Sequence, residues 1–525
     1  MFETSLLTVG LAFFVPLGYA LIAVGGLDEG RARHTALSAV AALALAVLGY
    51  VAAGFALEFG GVGLAYALPG LEGLVWEWSA LGTTWGTGWG MAGLVGWGLT
   101  GPAVTAGAYR LVLANLPWVA TAALIPLACL RGRIPAWASG LIGLLMGALI
   151  YPLAGNWIWG GGWLANLGSN LGLGHGLVDA GGSGLVHLLG AAATLAGILV
   201  FLPRKPKAFP PPMPRESNAR EEAVPLPPVH LPLLAVLGCG MLLVGGLAWT
   251  IGNPLLNLSE SDLPRLALNV VLAAAAGALL PLLYTWFVAG RTDPLMAARG
   301  LAAGSVAIAA GSPFMPPWAA LILGAGIGLI TVLAIFVVDH LLRWDDSTAA
   351  LTVHGLAGGL GLLAVGIFAD GRAGAGWNHV GEYAYLGVPG QGVTGLLAAA
   401  GFQPDWPGQL QAQLVGLVAL ALLGFFAAWL SSAPFLLLIR LLAPQRPGSV
   451  PAPAAYALET IPDSEQPPAA PDAEPSVEHF VRTDGAPANE LQEPVVAPAP
   501  DDALLPAVGQ EGGSSGDVSP LQIAA

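Results

Sequence analysis

Apolar runs of about 20 residues, the length that crosses a hydrocarbon core of about 30 Å as a helix, recur along the chain. They fall near 4–26, 36–58, 112–130, 136–155, 182–202, 231–252, 266–289, 294–311, 317–341, 347–369 and 410–442. The pattern predicts an all-α integral membrane protein with eleven spans, of which 294–311 is the shortest. The first cation, Arg31, comes after the first run, so that run reads as a span and not as a cleaved secretory signal. Trp76, Trp78, Trp85, Trp89 and Trp97 lie in the long segment after the second span and read as an interfacial aromatic belt or a partly re-entrant segment.

Two runs share a further pattern. "DAGGSGLVHLLGAAATLAGILVF" (Asp179 to Phe201) and "DSTAALTVHGLAGGLGLLAVGIF" (Asp346 to Phe368) each place an Asp eight residues before a His, with a Phe fourteen residues beyond it. Five spans separate the windows, an odd number, so the two helices cross in opposite senses. An inverted repeat of spans 1–5 and 6–10, with an extra eleventh span, follows. Eight helical residues rise about 12 Å, which brings His187 and His354 towards mid-membrane from opposite faces. Either histidine alone reads as a core side chain bonded to a neighbouring helix. Two in matching positions are harder to attribute to packing, because intramembrane ionisable groups are costly and mark pathways. Asp179, Asp345 and Asp346 stand where helix N-termini favour carboxylates, and capping is the default reading for Asp345 and Asp346.

Composition sharpens the class. Charged residues make up 10% of the 525, and hydrophobic ones 55%, against the roughly 25% charge of soluble domains. Of the net charge of -14, the stretch from Ala443 onward carries -11, from 13 acidic and two basic residues. Residues 443–525 therefore read as a disordered, acidic, Pro/Ala-rich tail after a membrane domain over 1–442, and Pro203 to Pro228 as a cytoplasmic loop. Only Arg110, Arg265 and Arg372 fall on one side of the membrane; the other 15 of the 18 cations fall on the opposite side. The bias makes that side cytoplasmic, with the N-terminus outside and the C-terminus inside. Nucleic acid is excluded as a partner by the lack of a basic stripe. Cys129 and Cys239 support neither a disulfide framework nor a cysteine metal site.

A buried histidine pair could ligate haem, shuttle protons or line a pore for a small polar solute. Retinal is excluded because no lysine lies in a span, and neither a GxxxxGK[ST] loop nor an HExxH motif occurs, so no enzyme activity, metal or other cofactor is expected. Haem is weakened because a transmembrane electron carrier usually needs four ligands and the spans offer one pair. The small residues in "AGGSG" and "GLAGGLG" suit a narrow channel better than a macrocycle.

"YPLAGNWIWGGGW" (Tyr151 to Trp163) followed by "DAGGSGLVHL", together with "DDSTAALTVHG", resembles the ammonium transporter (Amt/Rh) family. Weaker matches are "VHLPLL", "NVVLAAAAGAL", "PPWAALILGAGIGLI" and "QLQAQLVG", and the likeness covers about residues 4 to 442. The resemblance implies a homotrimer in the plasma membrane with one pore per subunit. It also implies that His187 and His354 are twin pore histidines, that Asp179 supports ammonium recognition and that Trp159 belongs to an outer cation site. Where relatives carry stacked phenylalanines, Trp118 and Trp249 are the nearest aromatics here; they are gate candidates, although ordinary helix packing is the default reading. Asn156 replaces a family histidine, and Ala349 replaces an acid that often follows the paired aspartates. The tail lacks the family's cytoplasmic motif, which argues against a PII-type regulator.

Intact ammonium entering a dry pore meets an idealised desolvation cost of order 20 kcal/mol. Removing its proton near neutral pH costs only about 3–4 kcal/mol, at ~1.36 per pKa unit. The expected function is therefore transport of ammonium as ammonia past the histidine pair. A sensor with little flux and a haem-binding redox protein are the rivals. The redox reading is checked by purification: a Soret band is expected to be absent, and its presence would overturn the pore reading.

Overall fold

In a computed structural model of the chain, the residues described are 6–82, 85, 87–130, 132–134, 136–202, 230–253, 255–256 and 262–442. They lie in one compact unit, Met1–Glu459; a second unit, Thr460–Ala525, is outside them. The expected loop at Pro203 to Pro228, the tail over 443–525, and Arg131, Arg204, Lys205, Lys207, Arg215, Arg220, Arg446 and Arg482 from the cation count also lie outside the described residues.

Eleven apolar helices are numbered in chain order: α1 (Leu6–Val24), α2 (Gly30–Leu64), α3 (Ala106–Leu130), α4 (Trp137–Ile158), α5 (Ser183–Phe201), α6 (His230–Ile251), α7 (Leu263–Ala289), α8 (Pro294–Ala309), α9 (Pro317–Leu342), α10 (Leu351–Phe368) and α11 (Gly408–Leu442). Among the described residues, ten are long and apolar enough to cross a membrane. The eleventh, α8, has 16 residues and rises about 24 Å; it is the shortest, as the sequence predicts, and ten of the eleven meet the length of a full span. Strands were not expected. Glu77–Ser79 (β1) pairs antiparallel with Gly90–Gly93 (β2), and Ala384–Tyr385 (β3) with Val388–Pro389 (β4). Trp76, Trp78, Trp85 and Trp97 of the long connection after α2 are exposed.

Packing repeats between the halves. In the first, α2 packs on α3 and α4, and α3 on α5; in the second, α7 packs on α8 and α9, and α8 on α10. Equivalent helices meet antiparallel. Gly18 of α1 faces Gly238 of α6 while Gly25 faces Leu231 and Ala235, and in the other pair Gly358 faces Ser183 and Leu188 while Gly355 faces Ala191. Apolar helices gain little hydrophobic drive from meeting one another in lipid, so close approach through small residues supplies the adhesion. The α7–α8–α9 junction is built this way: Gly277 touches the backbone of Gly300 and Gly304 on α8, and Gly324 and Gly328 of α9 pack on Ala273 and Gly277.

Asn156 Nδ2 donates to Glu77 Oε1 at 3.2 Å and to the Glu58 carbonyl at 3.2 Å, tying the β1–β2 hairpin, which lies outside the spans, to α4 and α2. Burial pushes the Glu77 carboxyl up to about 7 against this hydrogen bond.

Two outcomes follow for stability. A Cβ at Gly277 would stand 2.5 Å from the Gly300 carbonyl oxygen, so Gly277→Val is expected to cost about 1–3 kcal/mol and to lower the thermal unfolding midpoint in detergent. Gly326→Ala, which meets nothing within 4 Å, is the control and leaves it unchanged. Because the folded Glu77 holds its proton more tightly than the unfolded chain, its contribution is full below about 4.5 and is lost as pH rises through about 7. Glu77→Gln is therefore expected to flatten the fall of that midpoint between pH 5 and 8, and an undiminished fall would contradict it.

Candidate functional site

The site is built on two helix starts buried inside the protein. A helix N-terminus leaves four N–H groups without intrahelical partners, and in a membrane no bulk water can take them. Asp179 and Asp346 supply acceptors. Asp179 Oδ2 accepts from Gly184 N at 3.0 Å and Leu185 N at 2.9 Å; Asp346 Oδ1 accepts from Ala350 N and Oδ2 from Leu351 N, both at 2.8 Å. Left-handed residues, Gly182 at φ +77° and Ala349 at φ +56°, break the backbone just before each start. Ser183 Oγ donates to the Val306 carbonyl at 2.6 Å and accepts from Ala310 N at 2.8 Å, locking the start of α5 to the end of α8. The irregular approach to α5 is satisfied from α11: Gln413 bonds both the N–H and the carbonyl of Val178, at 2.9 and 2.8 Å, and Gln409 bonds His175 N and the Gly176 carbonyl.

Asp345 departs from the capping expectation. Its carboxylate pairs with the Arg133 guanidinium, which also donates to the Asp345 carbonyl at 2.9 Å, while Asp346 accepts from the N–H groups at the start of α10. Burial raises the carboxyls of Asp346 and Asp179, the latter to about 6, against the backbone N–H groups that lower them.

The helices also start later than a continuous rise from each Asp would require. His187 and His354 sit in opening π-helical turns, Ser183–Leu188 and Leu351–Leu356. The non-helical approaches carry the chain inward. The two rings are nearly parallel, 11° apart, with Nδ1 to Nδ1 at 3.1 Å. One Nδ1 must donate and the other accept, so the contact carries a single proton. An iron held between the two Nδ1 atoms would part them by about 4 Å, at the roughly 2.0 Å per bond of metal–imidazole contacts; the 3.1 Å contact is shorter than that.

A line of aromatic rings leads to the pair. Trp159 lies edge-on to Trp118 with centroids 3.9 Å apart, Trp118 stacks on Trp249 at 5.0 Å and 13°, and Trp249 faces His187 at 6.5 Å. All three tryptophans are buried. Trp159 Nε1 donates to the Asp179 carbonyl at 3.0 Å and Trp249 Nε1 to the Gly181 carbonyl at 2.9 Å, so the approach to α5 also fixes the rings. The Asp179 carboxylate itself is fully buried and turned to the helix start, and its Oδ1 has no hydrogen-bond partner among the described residues.

Small cavities follow the rings. One, lined by Tyr66, Trp159, Leu177, Asn253, Trp377 and Asn378, lies beyond Trp159 and has no acid in its wall. Two of about 20 Å³, each room for about one water-sized molecule, flank the histidines: one meets Trp249 and His187, the other His354. Tyr19 lines both, with its ring 5.3 Å from His187 and 4.7 Å from His354. Sequence reading missed it; the signal was a lone phenol midway along an otherwise apolar α1.

The matching of known proteins agrees with this geometry. A family model described as Ammonium Transporter Family matches residues 4–443. Ammonium transporter Amt2 of Archaeoglobus fulgidus is 31% identical over 376 residues, 71% of this chain and 72% of that protein. Among solved structures, one titled Sensor Amt Protein aligns with a TM-score of 0.60 at 21% identity, over 83% of this chain and 92% of that one. Mep2 of Candida albicans aligns at 0.59 and 20% identity, over 82% and 84%. At such identity the structural likeness is one of fold, whereas the family model spans nearly the whole helical region. The chain belongs to the ammonium transporter family.

Proposed function

We propose that this chain conducts ammonium nitrogen across a cell membrane as ammonia, along the row of cavities beside His187 and His354. The observation that carries the reading is the 3.1 Å Nδ1 contact between two buried histidines with a water-sized cavity on either side. Ammonium meets the ring face of Trp159 at the outer cavity, where a cation is attracted by the ring quadrupole. With no carboxylate in that wall, Asp179 acts from behind it: its backbone positions Trp159 and its charge adds to the local field. The stacked Trp118 and Trp249 keep water out and make the charged form costly beyond them, so ammonium returns its proton to water on the outer side, ammonia passes, and ammonia takes up a proton from water on the inner side. The histidines accept and donate hydrogen bonds to ammonia through their Nε2 atoms while sharing a proton at Nδ1. In this reading the Trp159 mouth faces outward, the His354 side faces the cytoplasm, and the chain works as a homotrimer in the plasma membrane.

One observation favours a second reading. The tryptophan pair is closed, with Trp118 2% and Trp249 4% exposed, as suits a sensor that binds ammonium at Trp159 without moving it. Flux separates the two.

In reconstituted vesicles the parent is expected to take up methylammonium saturably, and His187→Ala and His354→Ala to lower the uptake by about 10²-fold, the lower range for loss of a positioned proton-handling group. Equal uptake in all three removes the mechanism; binding without uptake in the parent selects the sensor. Replacing Trp118 by Ala is expected to open the dry constriction, seen as faster collapse of an imposed pH gradient reported by an entrapped dye. An unchanged leak would mean that the tryptophans are packing alone.

A further inference from the structure

A cavity of about 420 Å³ opens on the His354 side and is lined by Asp28, Arg31, Arg299, Asp339, Asp345 and Asp346 among others. Of its four carboxylates Asp28 pairs with Arg31, Asp345 with Arg133, and Asp346 caps α10, so Asp339 and Arg299 are the charges whose balance sets what a cation meets there. Arg299 lines it and also lines the small cavity that touches Tyr19 and His354. It is therefore the residue shared between the open antechamber and the narrow passage. Its side chain comes from α8 and is 9% exposed. It is held by a hydrogen bond from Nη2 to the Ser347 carbonyl at 3.1 Å, a neutral acceptor, and Gly26 packs so closely that a Cβ there would stand 3.1 Å from Nη2. The charges of Asp346, Asp293 and Asp339 reach it, but the Asp346 oxygens are taken up by the N-terminus of α10.

We propose that Arg299 is a specificity-determining cation barrier at the inner mouth: a fixed guanidinium that passes neutral ammonia and turns back ammonium, potassium and other monovalent cations that enter the antechamber. The inference rests on the transport reading above. The barrier acts on charge and leaves an uncharged solute unaffected, because like charges a few ångströms apart in a partly desolvated site repel strongly. Arg is suited to the task because it stays protonated under all relevant conditions.

The test uses full-length protein in vesicles and two readouts, uptake of labelled methylammonium and uptake of rubidium as a potassium stand-in. Against a Trp118→Ala background, in which the outer constriction no longer holds cations back, Arg299→Gln is expected to raise rubidium uptake about tenfold further while methylammonium uptake stays at the level of that background, and Arg299→Lys to behave as the background alone. Gly26→Asp places a carboxylate beside Nη2, displacing the tip of Leu295 and pressing on the guanidinium, and in the same Trp118→Ala background is expected to raise rubidium uptake as well without removing the arginine; it serves as the second route should Arg299→Gln not fold. Rubidium uptake no higher than that of Trp118→Ala alone in the folded variants overturns the barrier while leaving transport intact. A parent that takes up no methylammonium overturns the transport reading and the barrier with it.

Discussion

Two imidazoles facing each other across one hydrogen bond set the requirements for everything around them. Nδ1 of His187 and Nδ1 of His354 stand 3.1 Å apart, a distance at which only one of the two can carry a proton. Both rings must be held at mid-depth, from helices of opposite sense, in a place where water is scarce. A shift of one residue in either helix would turn its ring about 100° away.

The fold meets these demands by starting α5 and α10 inside the protein. Each start exposes N–H groups that have no solvent, and each is closed by the same device, an aspartate four to six residues upstream of the groups it accepts from. Asp179 and Asp346 are thus structural before they are anything else, and the carbonyl of Asp179 also anchors Trp159. Around them, glycine contacts between α1 and α6 and between α5 and α10 bring the equivalent helices close enough for the rings to meet. In the transport reading proposed above, the ring row, the histidine pair and Arg299 act in turn as ring face, dry constriction, neutral hydrogen-bond pair and fixed charge.

Much of this was legible in the sequence because it rests on periodic signals. Apolar length located the helices, and the twin Asp-to-His windows located the pair before any fold was known. Trp118 and Trp249, named only as the nearest aromatics, stack on each other. What was not legible depends on where the backbone breaks. A residue pattern does not say that Gly182 and Ala349 take positive φ, so the histidines were assigned a helical descent of eight residues that the chain replaces with an irregular approach. Asp345 and Asp346 look alike in sequence, and only the position of Arg133 separates ion pair from cap. Arg299 lay inside an expected span and was counted as a cytoplasmic charge; its role depends on which cavities meet at it, a property of packing between distant segments. The two hairpins were missed for the same reason.

The central claim is that the pair holds one proton between its Nδ1 atoms. Nitrogen-15 solid-state NMR of histidine-labelled protein in bilayers, with His187 and His354 assigned through single replacements, reads this directly. The account predicts one protonated and one unprotonated Nδ1, coupled to each other across the hydrogen bond. Two protonated Nδ1 atoms, or two unprotonated ones with no coupling, would contradict it.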